Sequence, residues 1–362
     1  MDSARGTDRQ TVVLLTTPRT YRARPFATAA ELLGLHLTWG VDTPGEISAG
    51  RQVALQVDFR DQSQAVQAII NLEPKWKVKA VLALDDAASL IAAKASAALG
   101  LPHNDPDATM AARDKRVMRR RLLAGGVPCP GFASFPLDAN PAIIATQTRY
   151  PCVLKPTLLN GSRGVIRADN APEFETAWMR VKSIVEKSVG RHILVEDYLP
   201  GTEVAAEGLL GDDGLCLLAI FDKPDTPQGP FFEETIYVTP SRLPACTRDV
   251  IEATTAQGAD ALGLRFGPVH AELRINEHGV WPIEVAGRSI GGLCSQTLRF
   301  GSGSSLEELI LRQAAGLPLA SMEREPISRG VMMIPIPERG LLRRVLGLDK
   351  AKNEPGIDSV EI

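Results

Sequence analysis

Glu272 and Glu284 are the two side chains of this 362-residue sequence best spaced to do chemistry together. They lie in PVHAELRINEHGVWPIEVAGRSIGG, Pro268 to Gly292. Val269, Ala271, Leu273 and Ile275 alternate with His270, Glu272, Arg274 and Asn276, the period of two of a half-buried strand. Val280 to Ala286 returns, with Ile283 and Val285 expected on the apolar face. Glu277-His278-Gly279 suits a three-residue loop, a type I turn closed by glycine in the left-handed region. That loop pairs Asn276 with Val280 and sets Glu272 opposite Glu284, on the face that carries His270 and Arg274. Opposed residues have Cβ atoms about 4.5–5.5 Å apart, where two carboxylates repel by roughly 3 kcal/mol at an effective dielectric of about 20. A divalent cation turns that repulsion into a site, and hard Mg²⁺ takes such oxygens together with substrate phosphates. The alternative is a solvated sheet face whose carboxylates meet arginines, or a register that parts them.

The elements that must position this hairpin come in two textures. Residues 11–100 alternate strand and helix: strands at Thr11–Thr16, Leu35–Val41, Gln52–Val57 and Val78–Leu84, helices at Arg24–Leu33, Gln62–Leu72 and Ala87–Leu99. Such alternation predicts a parallel sheet with right-handed crossovers. The loop TTPRTYR after the first strand has no Gly-x-Gly-x-x-Gly, so a dinucleotide fingerprint is absent. Asp85 and Asp86 read as helix N-caps, with a substrate role as the alternative. Beyond Leu101-Pro102, Asp107–Leu123 reads as one basic amphipathic helix and Pro141–Tyr150 as another. Pro151–Lys155 is a short strand leading into LLNGSRGVIR. Gly161, Ser162 and Gly164 leave that loop free of bulk, so its amides can close over phosphates. It lacks Gly-Lys-Ser/Thr and is no Walker A loop; a plain hairpin is the bland alternative. A helix at Glu173–Val189, strands at Ile193–Glu196, Val204–Leu210 and Leu215–Phe221, and helices at Ala253–Leu262 and Leu306–Ala315 complete the reading.

Length allows one large core or two to three smaller ones. A net charge of −3 gives no reason to expect nucleic acid or an anionic membrane. No apolar stretch is long enough for a signal-peptide core or a bilayer span. Five scattered cysteines without Cys-x-x-Cys argue against a disulfide framework or structural zinc and suit a reducing cytoplasm. The Asn160-Gly161-Ser162 sequon carries no meaning there. Gly287-Arg288-Ser289-Ile290-Gly291 matches the nucleophile elbow of α/β-hydrolases. Those enzymes need a histidine after the serine, and all five histidines precede Ser289.

Taken in order, the segments resemble the ATP-grasp superfamily, in particular its carboxylate–amine ligases, from about Val12 to the end. RDKRVMRRRLLAGGVPCP resembles the first nucleotide-contacting lysine segment and VLKP the second, which implies phosphate roles for Lys115 and Lys155. GSRGV (Gly161, Ser162, Arg163, Gly164) resembles the small loop that covers the ATP tail. VEDYLPGTEV resembles the adenine hinge. By that match the backbone of Glu196, Asp197 and Leu199 reads the adenine edge and Glu203 holds the ribose hydroxyls. HAELRI and IEVAGR resemble the metal hairpin, implying Glu272 and Glu284 as Mg²⁺ ligands, with Mn²⁺ as the alternative ion, and Arg288 beside the transferred phosphoryl group. Arg274 is a further candidate for that work, and Glu233 and Glu234 for holding a substrate ammonium. Ala286 stands where the family usually has Asn, and the strand begun at Gly356–Ile362 stops where relatives continue.

The resemblance implies an ATP-grasp fold, mixed α/β and α+β, behind a Rossmann-like parallel α/β domain. The expected boundaries are 1–103, 104–320 and a short segment, 321–362. It implies ATP-dependent amide formation through an acyl phosphate, releasing ADP, on small carboxylate and amine substrates, in the cytoplasm. A homodimer is the assembly left open. A biotin carboxylase-like reaction and a non-catalytic nucleotide-binding protein are the rival readings.

Overall fold

The run TVVLLT forms β1 (Thr11–Thr16), and all six residues are buried, as expected of a central parallel strand covered on both faces. The computed structural model describes residues 10–18, 20–42, 55–72, 76–188, 190–319, 321–336 and 340–362. After β1 come α1 (Ala23–Leu32), β2 (His36–Val41), β3 (Leu55–Gln56), α2 (Gln62–Ile70), β4 (Val78–Ala83) and α3 (Asp86–Ala98). The strands make one parallel sheet, ordered β3-β2-β1-β4. Residues 52–54 of the expected third strand lie outside the described residues. Val13, Leu15, Ile69 and Ile91 fill one face of the sheet. Val12, Leu14, Phe26 and Trp39 fill the other and share a core with Phe221, Tyr237 and Leu309 from much later in the chain.

The stretch expected as one basic helix is two, α4 (Pro106–Arg113) and α5 (Lys115–Ala124). Asp114, at φ −89° and ψ 105°, breaks them, and its carboxylate caps α5 by accepting from the Arg116 amide at 2.9 Å. A short acidic side chain competes for backbone donors in this way and so favours a helix start over a helix interior. Lys115 therefore opens α5, with its own amide on the Thr157 carbonyl at 2.9 Å.

Next come β5 (Phe132–Pro136), α6 (Pro141–Gln147), β6 (Cys152–Pro156), β7 (Ile166–Ala168), α7 (Ala171–Val185) and β8 (His192–Asp197). Their antiparallel sheet runs β5-β8-β6-β7, with Phe174, Trp178 and Val181 of α7 packed on it. The last part holds β9 (Thr202–Gly211), β10 (Gly214–Asp222), β11 (Ile236–Thr239), α8 (Ala245–Leu262), β12 (Gly267–Asn276), β13 (Gly279–Ala286), α9 (Leu306–Ala314), β14 (Arg329–Met332) and α10 (Leu348–Lys352). Six strands form its sheet, β13-β12-β9-β10-β11-β14. Gly356–Ile362, expected to begin a strand, has none; α10 precedes it.

The hairpin of β12 and β13 reaches the expected pairing by another route. Its tip is a two-residue turn, because Asn276 pairs with Gly279 rather than Val280. That register holds to Leu273 opposite Pro282, then shifts by one so that Glu272 faces Glu284 and Ile283 is the extra residue. Pro282 has no N–H to give a ladder, and a bulge on the edge strand β13 is where a strand tolerates it. Ile283 was expected in the core; the bulge turns it to the cleft instead.

Candidate active site

A cleft of about 1130 Å³ is lined by residues on or next to all three sheets, and the charged side chains named from sequence meet there. At one end the buried Glu196 carboxylate takes Lys155 Nζ at 2.6 Å on one oxygen and Arg119 Nε at 2.5 Å on the other. Burial opposes ionisation of Glu196, yet the Arg119 and Lys155 charges outweigh it and hold its pKa at about 2. Burial also pulls the Lys155 ammonium below its ordinary range. Arg119 then reaches across to the hairpin, donating to the carbonyls of Pro282 at 3.2 Å and Ile283 at 2.7 Å. The bulge is thereby tied to the strand that carries the hinge. Arg119 went unremarked in the sequence, although it lies four residues after Lys115, on the same face of a helix.

Lys115 Nζ lies 3.1 Å from Glu284 and 2.9 Å from the Leu159 carbonyl. Glu272 sits in a denser group. Lys223 Nζ is 3.4 Å from Glu272, 2.7 Å from Glu203 and 3.1 Å from Glu234. Among the described residues, Glu203, Glu234 and Glu272 form the cluster whose carboxylate oxygens lie within 4.8 Å of one another. Burial would keep Glu272 neutral, but Lys223 and His270 hold its pKa well below the carboxylate range. Glu234 is pushed the other way, to about 7, by burial and by the neighbouring Glu272 charge. His270 stands between Glu207 at 2.8 Å and Glu272 at 3.7 Å. Its burial favours the neutral ring, and the two carboxylates overcome that and raise its pKa to about 9. Lys223 was missed from sequence; a lone lysine closing the apolar strand LCLLAIFD was its only signal.

Arg274 is occupied. Its guanidinium donates to Glu203 at 2.8 Å, to the Leu199 carbonyl at 3.3 Å and to the Pro227 carbonyl, so it braces the hinge rather than facing the cleft unbound. In the hinge, the Asp197 amide goes to the Gly131 carbonyl at 2.8 Å. Arg288 lines the cleft, its Nε on Asp86 at 2.8 Å. Burial favours a neutral Arg288, but Asp86 and Glu284 raise its pKa further still. Asp86 also accepts from Asn160 at 2.8 Å and so ties the glycine loop to the same arginine. Neither aspartate caps α3 with its side chain. Asp85 occupies the cap position, but its carboxylate accepts from the Thr17 amide and from the hydroxyls of Thr16, Thr17 and Thr20.

The loop from Asn160 to Val165 lines the same cleft as Lys115 and Lys155. Gly161, Ser162 and Gly164 all have positive φ, at 59°, 51° and 79°. Ser289 is no exposed nucleophile: it is buried, its hydroxyl accepts from Arg22 at 3.3 Å, and among the described residues no histidine bonds to it. Glu233 is exposed at the cleft edge, whereas Glu234 belongs to the carboxylate cluster. No helix among the described residues is long and apolar enough to cross a membrane.

Residues 148–297 match the ATP-grasp domain family. Uncharacterized protein y4rH of Sinorhizobium fredii is 25% identical over 98% of this chain and 74% of its own length. The alanine–anticapsin ligase of Bacillus subtilis is 27% identical over 74% of this chain, an alignment that spans only 61% of that ligase. The crystal structure of L-amino acid ligase from Bacillus licheniformis superposes with a TM-score of 0.78 at 26% identity, over 96% of this chain and 85% of that one. This chain therefore carries an ATP-grasp domain, set behind a parallel α/β unit in the fold of that superfamily.

Proposed function

We propose that the chain is an ATP-dependent carboxylate–amine ligase that forms an amide or peptide bond and releases ADP and phosphate. One observation carries the reading: Glu272 and Glu284 face each other across the hairpin while Lys115, Lys155 and Arg288 enter the same cleft. In this reading Lys115 and Lys155 offset phosphate charge, and the loop amides around Gly161–Gly164 close over the ATP tail. The backbone of Glu196, Asp197 and Leu199 meets the adenine edge. Glu203 accepts from the ribose hydroxyls with the lone pairs that Lys223 and Arg274 leave unused.

The residues present suit a metal. Glu272 and Glu284 are each held by a lysine ammonium, 3.4 and 3.1 Å away, so the place already takes positive charge. All-oxygen donors suit Mg²⁺, or Mn²⁺ in its stead. Ala286 offers no side-chain oxygen, and the carboxylates of Glu203 and Glu234 are the next ones available. Bound there, the ion would supply Lewis-acid charge neutralisation at the phosphates. The substrate carboxylate attacks the γ-phosphorus and ADP leaves; the amine then attacks the acyl phosphate and phosphate departs. Arg288 suits a bidentate grip on the reacting carboxyl. The protein's contribution is position and charge more than covalent chemistry.

The test is ADP release by the purified chain with MgATP and panels of amino acids, other carboxylates and amines. Stimulation by an acid–amine pair is expected, with a hydroxamate formed when hydroxylamine replaces the amine. Glu284→Gln should abolish that turnover while keeping the unfolding midpoint. Bicarbonate-dependent ADP release without an amine would point to the carboxylase-like reaction. Substrate-dependent AMP in place of ADP, or tight ATP binding with no turnover, would overturn the proposal.

A further inference from the structure

The cations around the reacting end of the cleft are mostly matched by carboxylates: Lys115 by Glu284, Lys155 by Glu196, Lys223 by a cluster of three, Arg288 by Asp86. Arg163 and Arg180, by the glycine loop, are exposed to solvent. Arg22 differs from all of these. It is half-buried and lines the cleft, and its guanidinium bonds to neutral oxygens, Ser289 Oγ at 3.3 Å and the Ser289 carbonyl at 3.2 Å. Among the described residues no carboxylate pairs with it.

Arg288 Nη1 donates to that same Ser289 carbonyl at 3.1 Å. The two guanidiniums therefore stand side by side, no farther apart than those two bonds laid end to end, and only Arg288 has a carboxylate, Asp86, among the described residues. Neutral hydrogen bonds orient a guanidinium but leave its charge uncompensated, and the low-dielectric walls of a cleft focus what remains. The approach is also kept clear. A Cβ on Gly291 would lie 3.4 Å from Arg22 Nη2, and beside it the Gly292 amide donates to Tyr21 Oη at 2.8 Å.

We infer that Arg22 binds a second substrate carboxylate, one that is not activated, beside the carboxyl gripped by Arg288. This rests on the ligase reading above. The planar fork of Arg22 suits a carboxylate, which makes it a binding and specificity residue for the substrates. That carboxylate belongs either to the amine donor, as in an amino acid, or to the acid partner, as in a dicarboxylic acid.

Two pairs of probes separate the sources: L-alanine and L-leucine against their carboxamides as amine donors, and succinate against succinamate as acid. The readout is the ratio of kcat/KM for the charged member to that for its amide, which a general loss of activity leaves unchanged. One pair should favour the charged member, and Arg22→Gln should lower that ratio at least tenfold, with Arg22→Lys in between. The pair that responds names the source. Ratios unchanged by Arg22→Gln in both pairs would overturn the inference while the ligase reading stands. If Arg22→Gln does not fold, Arg22→Lys alone carries the comparison. If the wild-type chain releases no ADP with any pair, the ligase reading fails. Calorimetric binding of the same probes with MgADP then decides, a charge preference lost in Arg22→Lys upholding the role of Arg22 and equal binding refuting it.

Discussion

Replacing Arg119 by methionine should damage stability and nucleotide binding together, because this one side chain ties the hinge strand to the bulge. Its charge and that of Glu196 are in direct contact, 2.5 Å between Nε and Oε1, with both side chains buried. With about 4 Å between charge centres and an effective dielectric of about 20, the pair is worth about 4 kcal/mol before desolvation. The carbonyls of Pro282 and Ile283 lose their donor too, at about 1–3 kcal/mol for each group left unsatisfied. Lys155 remains on Glu196 and softens the loss, and a buried methionine returns about 1.5–3 kcal/mol of apolar burial. The net expectation is the usual cost of breaking a buried pair, about 3–5 kcal/mol. Urea unfolding measures it, with Arg120→Met, at an exposed neighbour on the same helix, as the control. ATP affinity, followed by calorimetry with Mg²⁺, should fall in Arg119→Met and hold in the control. A loss below about 1 kcal/mol with unchanged ATP binding would refute the idea that Arg119 pins the bulge.

Three further perturbations follow from the same geometry. Glu196, held at about 2 against an ordinary 4.5, gives stability that is present above about pH 4.5 and is lost as pH falls toward 2. That amounts to roughly 3 kcal/mol, and the pH dependence of unfolding in wild type minus Glu196→Gln should show it. Gly164→Ala places a Cβ 2.8 Å from Pro156 Cγ at φ +79°, whereas Gly161→Ala at φ +59° meets open space. Both bear the left-handed strain of about 1–2 kcal/mol, so only the first should lose clearly more in urea unfolding. Lys223→Met leaves Glu203, Glu234 and Glu272 without their shared cation. It should lower Tm in metal-free buffer and give a larger Tm rise with Mg²⁺ than wild type; equal rises would refute cation replacement at that cluster.

The parallel unit was legible because a buried run such as TVVLLT followed by Ala-rich helical spacing leaves little choice of partner. The Glu272–Glu284 pairing was legible for a weaker reason: a turn one residue tighter than expected and a bulge one residue long cancel between Asn276 and Glu272. Alternation alone could not show this, since Pro282 speaks against a regular ladder without saying where the extra residue goes. The break at Asp114 was hidden because the apolar and basic spacing of 107–123 suits one helix throughout; only the capping tendency of the aspartate argued otherwise. Lys223, Arg119 and Arg22 escaped notice because their partners lie 11 to 267 residues away in the chain, a relation that periodicity does not encode.

The bulge at Ile283 also makes the hairpin a matter of odd and even. A regular strand presents alternate residues to opposite sides, so an odd change of length reverses which side every later side chain takes unless a bulge absorbs it. Deleting Ile283 alone would join Pro282 to Glu284 and leave Glu272 facing Glu284 in an unbroken ladder. Deleting one residue between Gly279 and Pro282 would be absorbed in the same way, by drawing Ile283 into the ladder opposite Leu273. An insertion in that stretch has no such reserve and would need a second extra residue to keep the glutamates opposed. Length in this strand is therefore free to shrink by one and not to grow, a tolerance stored in the bulge rather than in the turn.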